Sequence, residues 1–445
     1  YYIINITKEE TSNSISIIRM KIIKIIGMED TRILNNKFNY TPDEIIVNGV
    51  SQKQKGKFVS NLTESVNNVT LIWNTRIKNC SYMFSNVFAL VDIDFSYFDS
   101  SLVNDMNRMF YFCSSLISLN LNNFNTSLVT NMSNMLVECN SLKSINFDNI
   151  NTSSVLDMSY LFYNCLSLVS LDLSSFDTSS VTDMTNMFAE CGNLTSLDLS
   201  NFNTEKVINM DYMFQNCISL VSINLNNFIT PSLYYMNSMF GQCYSLLTLN
   251  LCSFNTTFVK YMKSLFAGDY SLKFINLSNF TITSDTNIDK MFYDCGDVII
   301  CINEEKAYPI LSLSSAFSID CNNSCFTNKD SKYIKEEHKC IDYCSNDNKY
   351  KYEFKNLCYE KCPNGTYTSL INEYICKDHI DNNEEIISIE NKTEDIVSSE
   401  TTTEDNVSSE TTTEDNVSSE TTTEDIVSSE TTTEDNVSSE TTTED

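Results

Sequence analysis

A Met or Leu followed by Phe or Leu recurs at Met83, Met109, Met135, Leu161, Met187, Met213, Met239, Leu265 and Met291, each 26 residues after the last. A period of this length confines the chain to a stacked architecture. One copy is too short to enclose a core, so the next copy has to cover its apolar face. Four residues beyond the first member of these pairs stand Cys113, Cys139, Cys165, Cys191, Cys217, Cys243 and Cys295, with Val87 and Asp269 as the two exceptions.

Two periodicities lie side by side within each copy. Leu171 and Leu173 alternate with Ser170, Asp172 and Ser174, the period-two mark of a short strand with one buried face. Val181, Met184, Met187, Phe188 and Cys191 follow at spacings of three and four, which reads as the buried stripe of a short helix capped by Thr178, Ser179 or Ser180. The fold expected is therefore an α/β solenoid with one strand and one helix per repeat.

The order Leu-x-x-Leu-x-Leu-x-x-Phe matches the leucine-rich repeat, with Phe where many such repeats carry Asn. Strings such as Leu171 to Cys191, LDLSSFDTSSVTDMTNMFAEC, resemble the BspA-like leucine-rich-repeat surface proteins of bacteria, mycoplasmas and protists. That resemblance spans residues 76–300. It implies a right-handed leucine-rich-repeat coil of about nine turns and a role in attachment to host or matrix proteins and to other cells.

Around the solenoid the composition changes three times. Residues 1–75 hold strand-like runs at Ser14 to Ile26, Asp43 to Asn48 and Val69 to Trp73, with a turn at Asn48-Gly49, and read as a β-rich N-terminal cap. Residues 301–378 carry Cys301, Cys321, Cys325, Cys340, Cys344, Cys358, Cys362 and Cys376, with too few apolar neighbours for an ordinary core, so disulfides are expected to replace one. Zinc is the rival ligand, although it prefers C-x2-C pairs or His partners. The run CYEKCPNGTY from Cys358 resembles furin-like and growth-factor-receptor-type cysteine-rich modules. Residues 379–445 form an acidic, Ser/Thr-rich tail that repeats VSSETTTEDN with small variants from about Asn391 and lacks the apolar residues to collapse, so a disordered acidic stalk is expected.

About two thirds of the formal net charge of -30 lies in that tail, and no basic face offers itself to nucleic acid. The paired cysteines point to an oxidising compartment and hence to a secreted or cell-surface chain. A membrane association is expected only through an anchor outside this stretch of sequence. The repeats contain no histidine, nucleophile elbow or phosphate-cradling glycine cluster, so neither catalysis nor a cofactor is expected.

The residues between the strand leucines are the better functional candidates. Asn120, Asn146, Ser170, Asp172, Ser196, Asp198, Ser222, Asn224, Asn250 and Asn276 should line up in rows on the exposed strand face, at about 4.8 Å spacing. Such rows suit a protein or glycan partner on host, matrix or neighbouring cells. They also suit a ladder that only keeps the sheet soluble, as in a wall or coat component that uses the solenoid as a spacer. No metal is expected, and calcium is the weaker alternative at Asp172 and Asp198. Glycosylation sequons stand at Asn61, Asn68, Asn125, Asn151, Asn193, Asn255, Asn276, Asn279, Asn322 and Asn364.

Overall fold

The computed structural model describes residues 16–302 apart from 54, 61 and 297, and beyond them 317–319, 332–334, 337, 339–354, 357–364, 366–369, 372 and 374–377. The expected stalk, Asn61, Asn322, Cys321, Cys325 and the Cys340 side chain lie outside the described residues.

The first described residues belong to a five-stranded antiparallel sheet in the order β4-β3-β6-β1-β7, formed by β1 (Ser16–Ile23), β3 (Glu44–Val47), β4 (Val50–Ser51), β6 (Val66–Trp73) and β7 (Leu90–Tyr97). A second pair, β2 (Asp30–Arg32) with β5 (Phe58–Ser60), lies beside it in sequence. Alternation sets the faces: Ile18, Met20 and Ile22 are buried while Lys21 is exposed. Asn48 and Gly49 both adopt positive φ, 50° and 84°, and turn β3 into β4. That conformation matches the right-handed strand twist and is the reason an Asn-Gly pair marks a hairpin.

Strand β7 is also the strand of the first coil. It pairs antiparallel with β1 on one side, and Val91 on it accepts the Ile117 N–H of the next coil at 3.1 Å. Cap and repeats therefore share one continuous core, running from Ile18 to Ile302.

The coils that follow contribute β8 (Ser118–Asn120), β9 (Ser144–Asn146), β10 (Ser196–Asp198), β11 (Ser222–Asn224), β12 (Thr248–Asn250), β13 (Phe274–Asn276) and β14 (Ile299–Cys301), and then β15 (Phe317–Ile319). Equivalent residues face each other in parallel register, Leu197 with Ile223 and Leu249 with Ile275, so the sequence period is the pairing register. At a second corner, parallel bridges link Asp105, Asn131, Asp157, Asp183, Asn209, Tyr235, Tyr261 and Asn287, which makes about eight regular turns; the coil at Met83 merges with the cap.

The expected helix in each coil does not form. Residues such as 184–190 make successive turns: Met187 N–H bonds to Met184 C=O at 3.2 Å, while Met184, Asn186, Phe188 and Glu190 send their N–H groups to the next coil at 2.8 to 2.9 Å. Two residues per coil, four apart, adopt the left-handed conformation, among them Asn134 and Glu138, Asn186 and Glu190, and Tyr212 and Asn216, with φ of 54° to 64°. A right-handed helix cannot pass through that conformation, and main-chain groups committed to a neighbour cannot close i to i−4 bonds. The fold is a β-solenoid with almost no helix.

The predicted stripe is nevertheless the core. Phe162, Phe188, Phe214, Phe240 and Phe266 stack in file, with ring centroids 5.5 to 5.9 Å apart. Cys113, Cys139, Cys165, Cys191, Cys217 and Cys243 are buried free thiols. Each donates to a main-chain carbonyl of the preceding coil, as Cys191 Sγ does to Phe162 at 3.1 Å. Burial raises every one of these thiols, Cys191 to about 12.

Beyond the coils, β16 (Lys332–Ile334), β17 (Lys339–Ile341), β18 (Tyr352–Phe354) and β19 (Leu357–Tyr359) form a small sheet in the order β17-β16-β19-β18. Disulfides Cys344–Cys358 and Cys362–Cys376 fasten this region, each spanning 14 residues, and Cys301 is also disulfide-bonded. Among the described residues no helix is long and apolar enough to cross a membrane.

Candidate functional site

The polar strand face exists, and its main-chain chemistry differs from a simple ladder. From the coil of β8 to that of β13 the Asn or Asp of the strand position accepts the N–H two residues on: Asn122 to Asn120 at 3.0 Å, Asp148 to Asn146 at 3.0 Å, Ser174 to Asp172 at 2.9 Å, Ser200 to Asp198 at 2.9 Å, Asn226 to Asn224 at 3.3 Å, Cys252 to Asn250 at 3.2 Å and Ser278 to Asn276 at 3.0 Å. These are Asx turns, in which the short side chain imitates a main-chain turn. They bend the chain out of the strand, so each coil spends the column on its own corner. The Ser174 and Ser200 bonds also hold the Asp172 and Asp198 carboxyls below the usual range.

Exposure varies along the face. Asn120, Ser170, Asp172, Ser196, Asp198, Ser222 and Asn250 are exposed, Asn146 and Asn224 are half-buried, and Asn276 is buried. Asn276 leaves the proposed face because β14 pairs Cys301 beside it, one residue short of the regular period. Leu171, read as a core residue, is only partly buried, as are Ile145 and Ile223.

The face is interrupted where the sequence looks most regular. Residues 170–172 form no strand: β8 pairs with β9 and β10 with β11, and the coil between them is left out of both sheets. Two clefts open around it. One of about 350 Å³ is lined by Ser170, Leu171, Asp172, Leu173, Asp198 and Asn201. The other, about 470 Å³, is lined by Ile145, Asn146, Asp148, Asp172 and Ser175. Asp172 stands between the two, and Asp148 and Asp198 flank it from the neighbouring coils. Carboxylates above a partly apolar floor, with no cation in the lining, accept hydrogen bonds from hydroxyl or ammonium groups. Among the described residues no three His, Cys, Asp or Glu side chains converge on a metal site.

The family model described as "Mycoplasma protein of unknown function, DUF285" matches residues 55–146, 139–246 and 220–319, three overlapping spans that cover more than half of the chain. The chain belongs to the DUF285 family. Its DUF285 repeats are thus the coils themselves, together with the last strands of the cap. No curated protein matches. Among solved structures, a leucine-rich repeat protein from Bacteroides ovatus is 18% identical, covers 48% of this chain and has a TM-score of 0.24. A leucine rich cell surface protein from Faecalibacterium prausnitzii is 15% identical, covers 49% of this chain and 70% of its own, again with a TM-score of 0.24. The chain spans 62% of the length of the Bacteroides protein. At these TM-scores neither likeness bears on the arrangement of the coils or on function.

Several structural columns of the DUF285 repeats were not picked out from sequence. Asn125, Asn151, Asp177, Asn203 and Asn255 form a second file of Asx turns, and Asp105, Asn131, Asp157, Asp183 and Asn209 a third. The Asn/Asp-x-Ser/Thr spacing that signals them is the same spacing that writes sequons. Buried Thr152, Thr178, Thr204, Thr230 and Thr256 donate to a carbonyl of the next coil at 2.8 to 3.1 Å and so bond coil to coil. Of the sequon asparagines, Asn68, Asn125, Asn151, Asn193, Asn255, Asn279 and Asn364 are exposed. Asn276 is buried and its amide closed to modification in the folded chain. Asn193 and Asn279 already give their Nδ2 hydrogens to Leu166 and Cys252 of the preceding coil.

Proposed function

We propose that this chain is a non-enzymatic binding protein of the cell surface or extracellular space, whose solenoid offers its strand face to a protein or glycan of a host, matrix or neighbouring cell. The observation that carries the reading is the break at residues 170–172, where Asp148, Asp172 and Asp198 surround two clefts with a half-apolar floor. A partner rich in hydroxyl or cationic groups suits that lining. The Cys344–Cys358 and Cys362–Cys376 disulfides support an oxidising compartment.

A second reading, a wall or coat component with the solenoid as spacer, draws on the Asx turns, which give every strand-face Asn and Asp a structural task. The double variant Asp172→Asn, Asp198→Asn separates the two, because the amide oxygen keeps the turn bond while the charge is lost. Soluble protein is applied to immobilised cells, matrix proteins and a glycan panel. Saturable binding by the wild type that the double variant loses, at unchanged Tm, supports the binding face. Absence of any saturable partner favours the spacer.

A further inference from the structure

A third cavity, of about 320 Å³, lies where the cap meets the first coils, and its chemistry is opposite to that of the two strand-face clefts. The cap supplies Asn35 and Lys37, the first coil Tyr82 and Asn86, and the second Arg108 and Tyr111. No Asp or Glu lines it. Neither Lys37 nor Arg108 belongs to any of the ion pairs among the described residues.

Both cations are held in place by aromatic neighbours. Arg108 Nη1 donates to the Tyr82 hydroxyl at 2.6 Å, and its guanidinium carbon sits 5.5 Å from the Tyr82 ring centroid and 5.6 Å from that of Tyr111. Lys37 Nζ lies 4.8 Å over the same Tyr82 ring. Cation–π contacts steady a charge without neutralising it, so the positive potential stays available to a ligand. The guanidinium uses one N–H on Tyr82 and keeps others free, in the fork geometry that pairs with two oxygens of a carboxylate or a sulfate. Arg108 also sits in the left-handed conformation, φ 55°, which directs a long side chain from a position that is Asn134 in the next coil.

The wider charge distribution favours an anion at this end of the repeats. Residues 16–111 carry eleven Lys and Arg against nine Asp and Glu, whereas residues 112–302 carry six against fifteen. Asn86 adds neutral hydrogen-bonding capacity beside the cations and donates to Ser85 Oγ at 3.0 Å, while buried Asn35 braces the site by donating to Ser85 C=O at 2.7 Å and accepting the Lys37 main-chain N–H at 2.8 Å. A cavity of this size, with two cations, the Asn86 amide and two tyrosine rings, accommodates one sugar ring bearing an acidic group.

We propose that the cavity between Lys37 and Arg108 is a binding site for an acidic sugar unit, whose carboxylate or sulfate is held by the two cations and whose ring meets Tyr82, Tyr111 and Asn86. The site is separate from the strand-face clefts and does not depend on them.

The test is calorimetric titration of the full chain with glucuronate, galactose 6-sulfate, glucose and inorganic sulfate, repeated on Arg108→Gln and Lys37→Gln. Lys143→Gln, far along the repeats, serves as the control, and circular dichroism and Tm verify folding. Lys37 is exposed and outside the core, so its variant isolates the charge even if Arg108→Gln unfolds the junction. At least one of the two acidic sugars should bind saturably, and the better of them identifies the acidic group. Lys37→Gln and Arg108→Gln should each weaken it at least about tenfold, the scale of one lost charged hydrogen bond. Lys143→Gln should leave it unchanged, and added salt should weaken it. Equal binding of glucose would overturn the proposal, as would unchanged affinity in folded Lys37→Gln or the absence of saturation by either acidic sugar. Inorganic sulfate binding as tightly as the acidic sugars would overturn the sugar assignment and leave a bare oxyanion site.

Discussion

Asp269 stands in the thiol column, where the adjacent coils hold Cys243 and Cys295, and it is fully buried. Its Oδ1 accepts the Cys243 N–H at 2.7 Å, but its Oδ2 is buried with no hydrogen-bond partner. Desolvation drives its carboxyl pKa well above the usual value. The folded chain therefore takes up a proton that the unfolded chain, with a carboxyl near 3.9, releases. Between the unfolded and the raised folded pKa the native state binds more protons, so stability falls as pH rises, by up to about 1.4 kcal/mol per pH unit from this group. Asp269→Asn keeps the oxygen that accepts from Cys243 and does not titrate. It should match the wild type near pH 4 and gain steadily above it, reaching about 1 to 3 kcal/mol at neutral pH, the cost of a buried polar group without a partner. Urea unfolding followed by circular dichroism at pH 4, 5, 6 and 7 measures the difference. Parallel stability curves for the two proteins, or an Asn variant weaker at pH 7, would refute the reasoning.

Three further outcomes follow from the packing. Leu197→Ala removes a side chain that is 4% exposed between neighbouring coils and should cost about 2 to 5 kcal/mol in the same unfolding assay. A loss below about 0.5 kcal/mol would place Leu197 at the surface. Asn164→Val puts a β-branched residue at φ 55° and should cost about 1 to 2 kcal/mol, whereas Asn164→Gly should be neutral or stabilising. Iodoacetamide applied to the native protein should modify half-exposed Cys252 and spare Cys113 to Cys243 until the chain unfolds. Mass spectrometry that finds disulfides between successive column cysteines would contradict the core assignment.

The repeat period carries the pairing register directly, which is why Leu197 and Ile223 meet as the spacing requires. The cap strands were legible from alternation and from Asn48-Gly49. The helix was not excluded by sequence, because spacings of three at Val181, Met184 and Met187 fit both a helical stripe and consecutive turns. What separates them is the left-handed pair in each coil, and those positions hold mostly Asn, Tyr, Ser, Glu and other non-glycine residues rather than the glycine that would announce them. Only Gly268 does so among the described coils. The strand-face positions follow from period-two alternation, but their Asx turns carry no mark in that pattern, because an exposed Asn or Asp looks the same whether or not it accepts the main-chain N–H two positions on. The break at residues 170–172 has no sequence signal, since Leu171 and Asp172 repeat the motif of their neighbours. The burial of Asn276 follows from β14, whose residues lie one short of the period and so outside any pattern that a strict repeat can project.

The main-chain bonds between coils bear on how the chain carries force. Each runs from one coil to the next, roughly along the stacking direction, so tension applied at the two ends pulls on them in series and opens them like a zipper. One freed coil of 26 residues extends to about 86 Å at about 3.3 Å per residue and gives up only about 4.8 Å of stacked length. A tethered chain under load should therefore yield in even steps of about 80 Å, one coil at a time, and dissipate the pull without losing the coils that remain stacked.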